Sequence, residues 1–265
     1  MDPTSRVEIT ETNAQHYASL LVDKTTDVFL TPAFNELNRF KVDGIKYLLF
    51  SHEYKTLGGI IFGQSGSTLL SSFSAPYGGL LMHGNFSMTL IENMACALIS
   101  YCKEKSFDCK IIFPAPIIND NITMPNQLFC AALLSRGFHS CYNDLNFHLE
   151  AKKNIISRNI RREHLKGVNK GYNLIASQFE RGFLAQVFDI LEDNHKKQSY
   201  PMPMTLERYE ATAAVANFLL FKVVKGDEVL AGGIAYLTRR KLLQIISWGD
   251  RIETRPTVGP MSFMA

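Results

Sequence analysis

Three groups of residues have types and spacings suited to meeting a ligand, two of them a phosphate. Near the end of the chain, Gly259-Pro260 follows an apolar run, KLLQIISWG, and a polar loop, DRIETRPTV, carrying Arg251 and Arg255. Proline suits the first position of a helix, because the N–H it lacks would have had no partner there. A helix opening straight after a buried strand presents free N–H groups and the positive end of its dipole, and both favour an anion. The plainer alternative is an ordinary strand-to-helix junction. The second group is Ala75-Pro-Tyr-Gly-Gly79. Its glycines let a backbone approach a ligand closely, or simply turn the chain. The third is Arg158, Arg161 and Arg162, within a stretch that also holds Lys152, Lys153, Lys166 and Lys170 against Glu163. A helix places residues at i, i+3 and i+4 on one face. Guanidinium groups so gathered are shaped for phosphate, with a solvated charged linker as the alternative.

Other polar residues are weaker candidates. His148 lies on the polar side of an alternating run, Ser140–Leu149, and fits a half-exposed strand position as well as a base. The glycine-rich GQSGS at 63–67 is not a hydrolase nucleophile elbow. Its glycines are wrongly spaced, and a strand follows where a helix is required.

These groups need elements to hold them. Helices are expected at Asn13–Val22, Thr31–Asn38, Met88–Lys105 and Pro125–Leu134, from apolar spacing and from capping by Thr31-Pro32. Strands are expected at Ile45–Phe50, Thr56–Phe62, Thr68–Phe73, Lys110–Phe113 and Ser140–Leu149, with an uncertain one at the very start. The second half repeats this order: a basic helix, a strand at Tyr172–Ser177, helices at Phe183–Lys197 and Thr205–Val215, then strands at Phe218–Val224, from Val229 and at Lys241–Trp248.

Composition sets limits. With 265 residues, 46% hydrophobic and 20% charged, the chain belongs to the soluble globular class and has length for two domains. A net charge of +3 gives no dominating polybasic surface. The five cysteines are odd in number and include no CxxC pair, so reduced core thiols are expected. No secretory signal or membrane span is visible, so a cytoplasmic location without membrane insertion is expected.

The element order, with Gly259-Pro260 after the fourth strand of the second half and Pro-Tyr-Gly-Gly after a strand of the first, resembles the GNAT acyltransferase fold. More narrowly it is similar to the Fem-type (FemAB-like) branch, in which two GNAT-like domains stand in tandem. The string SRNIRREHLKGV resembles the basic helix opening the second domain there, departing from it at Glu163 and His164. The resemblance implies an α/β fold of α+β type, each domain a mixed, mainly antiparallel sheet flanked by helices. Domains are expected at 1–150 and 151–265, the second lacking the further strand, helix and strand that would follow Gly259. It implies an N-acyltransferase, moving an acyl or aminoacyl group from acyl-CoA or aminoacyl-tRNA to an amine on an anionic acceptor, such as a sugar-nucleotide or cell-wall precursor. The fourth and fifth strands of such a domain part to admit the acyl-pantetheine arm. On that footing Arg251, Arg255, Val258, Gly259 and Met261 would contact the donor. Tyr77, Gly78, Gly79, Arg158, Arg161 and Arg162 would hold substrate, and Asp250 would be the base. Acyl-CoA enters as co-substrate and no metal is expected. The competing reading is a catalytically inactive tandem module that binds or assembles, as a homodimer through its open second domain. A nucleic-acid binder using the basic stretch is the third, and its binding would weaken steeply with salt.

Overall fold

The computed structural model describes residues 7–23, 25–82, 84, 86–116, 123–144, 158–239 and 242–251. The chain divides into two units, Met1–Phe147 and His148–Ala265.

The first unit runs β1 (Glu8–Thr12), α1 (Ala14–Leu21), α2 (Pro32–Leu37), β2 (Gly44–His52), β3 (Lys55–Ser65), β4 (Thr68–Ser71), β5 (Leu80–Met82), α3 (Met88–Glu104), β6 (Asp108–Ile111) and α4 (Thr123–Leu134). Its helix starts are fixed locally. The side chains of Asn13, Thr31 and Ser87 accept from the N–H groups of His16, Phe34 and Leu90, each satisfying a donor that the first helical turn leaves over. The sheet order is β1-β2-β3-β4-β6. β3 is long enough to serve two neighbours: Gly63–Ser65 pairs with β4, and Gly58–Ile60 with β5. β4 and β5 are therefore two halves of one strand position, with residues 72–79 looped out between them. All pairings are antiparallel except β4 with β6.

The period of two along the strands sorts the core into two layers. Leu48, Phe50, Ile60, Phe62, Leu69 and Leu80 face α3 and α4, where Ile91, Met94, Leu98, Phe129 and Leu133 complete the larger cluster. Tyr47, Leu49, Ile61 and Leu81 face Tyr17 and Leu21 of α1.

Three expectations are corrected. The strand placed at Thr68–Phe73 ends at Ser71, and its continuation is the unforeseen β5. The strand placed at Lys110–Phe113 is shifted to Asp108–Ile111. The described part of the run from Ser140, residues 140–144, carries no regular structure. Alternation makes a segment fit for pairing but does not supply the neighbour, and residues 141–144 are exposed.

The second unit runs α5 (Arg158–Asn169), β7 (Asn173–Gln178), α6 (Arg181–Lys197), α7 (Leu206–Thr212), β8 (Asn217–Lys225), β9 (Glu228–Arg239) and β10 (Leu242–Asp250). The sheet, β10-β9-β8-β7, is antiparallel throughout. The side chain of Thr205 caps α7, and Gly226 turns β8 into β9 with φ +58°. Helix α6 packs over β8, β9 and β10. It comes so close that a Cβ at Gly232 would lie 3.0 Å from Val187. Two helices followed by antiparallel strands, with an earlier strand flanking them, thus occur twice.

Candidate functional site

In the first unit β4 and β6 run parallel from Thr68 to Ser71 against Asp108 to Ile111, and beyond Ser71 they part. The gap is closed from within. Ile112 N–H donates to Ser71 O at 2.5 Å, and Gly78 N–H donates to Ile112 O at 2.8 Å, so the 72–79 loop folds back between the strands. Gly79 N–H donates to Ser71 Oγ at 3.0 Å. Leu80 N–H donates to Asn126 Oδ1 at 2.7 Å, and Asn126 Nδ2 donates to Leu80 O at 2.8 Å. A side-chain amide laid against both groups of one strand residue replaces a neighbouring strand for one step. Glycine is needed at 79, since φ is +104° and a Cβ would sit 2.3 Å from Asn126 Oδ1. What remains is a cavity of about 10 Å³ lined in part by Tyr17, Phe29, Asn35, Ile61, Ser71 and Gly78, about the room one water needs. Burial, with Tyr47 beside it, pushes the Tyr17 phenol well above its ordinary range, so it stays protonated.

Tyr77 is buried and turned inward. Its hydroxyl donates to Asp27 Oδ2 at 2.7 Å, while Asp27 Oδ1 accepts from Phe29 N–H at 3.1 Å. The ring stands edge-on to Phe29. The Tyr77 hydroxyl and the N–H groups of Gly78 and Gly79 are thus spent inside the unit, where the sequence suggested groups turned toward a ligand.

The second unit differs at the same strand position. β10 is the edge of its sheet among the described residues. Arg251 N–H donates to Leu230 O at 2.9 Å. By the antiparallel alternation, Gly249 also faces β9, whereas the backbone groups of Trp248 and Asp250 face away from it. Asp250 O accepts from Asn194 Nδ2 of α6 at 2.7 Å, and Asp250 Oδ1 lies 3.4 Å from the same nitrogen. With Asp250 only 2% exposed, this is a brace between helix and strand end, not a base open to an incoming amine. Arg251 Nε donates to Val229 O at 3.0 Å, tying that side chain back to the start of β9.

The face of this sheet turned away from α6 is apolar. Gly233, Ala235 and Leu237 of β9 register with Trp248, Ile245 and Leu243 of β10. Leu237, Leu243, Ile245 and Trp248 are 37, 42, 54 and 49% exposed. From Leu242 to Gly249 the strand carries no charge. An uncharged edge of this kind can pair with an extended, amide-bearing chain, and an outward N–H can receive a developing oxyanion.

Arg158 opens α5, and the exposed Arg161 and Arg162 follow at the spacing that shares a face. Arg255, Val258, Gly259 and Met261 lie outside the described residues, as does His148. No helix among the described residues is long and apolar enough to cross a membrane. The sequence reading missed both asparagines. Asn126 could have been found: with Phe129, Cys130 and Leu133 it occupies i, i+3, i+4 and i+7 of one helical stripe. A polar residue on an apolar stripe must be bonded if buried.

No protein-family model matches the sequence, and none of the curated proteins does. Solved structures do. FemX is 11% identical, with a TM-score of 0.56 over 97% of this chain and 83% of that one. L-PGS from Bacillus licheniformis is 12% identical, with a TM-score of 0.53 over 99% of this chain and 70% of that one. A conserved protein of unknown function from Bacteroides thetaiotaomicron is 7% identical, with a TM-score of 0.51 over 97% and 85%.

Proposed function

We propose that this chain, whose fold is the FemAB-like tandem GNAT fold, is an acyl- or aminoacyltransferase acting on an amine. The observation that carries this reading is the open β10 edge. Among the described residues it ends in Trp248 and Asp250, and in the sequence Arg251 and Arg255 follow. An extended donor arm would lie along that edge and pair its amides with outward backbone groups. Its phosphates would meet the arginines and the N–H groups at Val258, Gly259 and Met261, where the sequence Gly259-Pro260 suits a helix start. An N–H of the strand would steady the tetrahedral oxyanion while the acceptor amine attacks, so catalysis is mainly positioning. An acceptor bearing phosphate, such as a sugar-nucleotide or cell-wall precursor, would be held by Arg158, Arg161 and Arg162.

Acyl-CoA is the favoured donor and aminoacyl-tRNA the alternative. Calorimetric titration with acetyl-CoA, then longer acyl-CoAs, then charged tRNA, should give saturable heat with one of these classes. No heat with any of them removes the reading. The exposed apolar face of β9 and β10 favours a second one, an assembly module that pairs two copies. Light scattering would then show a dimer, and a monomer that turns over a donor would count against it.

A further inference from the structure

Where two strands part, each opens a row of backbone groups that must find partners. In the first unit these partners come from the chain itself. Ser71 O takes Ile112 N–H, Ile112 O takes Gly78 N–H, and both groups of Leu80 are taken by the side chain of Asn126. A ligand amide in extended conformation would make the same two bonds to Leu80, and could do so only by expelling Asn126.

We propose that Asn126 is an internal stand-in for an extended amide-bearing ligand, that it closes the first unit to the donor, and that the chain takes one donor equivalent, at β10. The part concerning β10 rests on the transferase reading above; the role of Asn126 does not. Asn126 is 0% exposed, against Leu80 at 1% and Phe129 at 0%. The cavity beside the 72–79 loop holds about 10 Å³, far below the several hundred cubic ångströms typical of a ligand pocket. Asn194 in the second unit is not such a plug. It donates to the carbonyl of Asp250, one outward group against the two that Asn126 takes, and as a donor it does not bond the outward N–H of Trp248.

Hydrogen exchange read over residues 79–83 and 242–250 tests both parts. With saturating acetyl-CoA, and with charged tRNA as the second probe, protection should rise at 242–250 and stay unchanged at 79–83, with one equivalent bound. Protection gained at 79–83, or two equivalents bound, overturns the proposal. Without any donor, Asn126→Ala and Asn126→Leu should each speed exchange at Leu80 about tenfold, on the scale of a lost buried hydrogen bond. Exchange within α1 should not change, and far-ultraviolet circular dichroism should confirm that the variants fold. Unchanged exchange at Leu80 in either folded variant overturns the plug. If no donor binds, the transferase reading falls, and exchange at Leu80 still decides what Asn126 does.

Discussion

The fourth strand position is built twice in this chain, and the two versions end differently. In the first unit it is split into β4 and β5, paired to β6 along its first half and to Asn126 at Leu80. Helices α3 and α4 lie over one face of that sheet, on Leu48, Phe50, Ile60 and Phe62. In the second unit the strand is continuous, has no described neighbour beyond it, and shows Trp248, Ile245 and Leu243 to solvent. The same element order thus yields one sheet whose parted strands are bridged by their own chain and one that, among the described residues, ends in an edge with an apolar face. Topology alone does not make a binding site; what each strand end presents does.

The largest expected effect tests the covered face. Phe129 is fully buried and packs edge-on to Phe50 and Phe113. Phe129→Ala should cost about 3–5 kcal/mol in urea unfolding followed by circular dichroism. Trp248→Ala on the open face should cost under ~1 kcal/mol, yet weaken donor binding several-fold by calorimetry. Equal stability losses would erase the contrast between the two faces.

Tyr77→Phe comes next. It leaves the buried Asp27 without the 2.7 Å hydroxyl donor and should cost about 1–3 kcal/mol. Donor affinity should not change. A variant of normal stability with weakened donor binding would show that this loop faces a ligand after all.

The smallest effect depends on pH. The Glu11 carboxyl is held below its ordinary value of 4.5, first by the hydrogen bond from Lys46 and then by that from Tyr101. A carboxyl depressed on folding adds stability above its unfolded pKa, and that stability is lost as pH falls through the folded value. The site is partly exposed, so Glu11→Gln should cost under ~1 kcal/mol at neutral pH. It should also flatten the acid side of the stability profile. An unchanged acid limb would assign that side to other carboxylates.

Much of the fold was legible because it is locally encoded. Thr31-Pro32 caps the helix it was expected to cap, and Thr205 caps the helix expected to begin there. The repeated element order by itself implies two sheets of like topology. β5 was hidden because it has three residues, and its partner, Gly58–Ile60, is far away in sequence. Nothing local marks a strand that resumes after an eight-residue loop. The candidate site was less legible still. The sequence shows that Tyr77, Gly78 and Gly79 carry donors, but not that Asp27, Ser71 and Ile112 have already taken them. Asp250 reads as a carboxylate in a polar loop, and only the packing of α6 shows it to be a brace.

Trp248 is the only tryptophan in the sequence, and at 49% exposure its indole borders both solvent and the proposed donor track. With excitation selective for tryptophan, over the ten tyrosines, the emission of the chain therefore comes from a single known place. A shift or quench on adding a candidate ligand would report events at β10 without any label, and quenching by iodide would show whether that ring becomes covered.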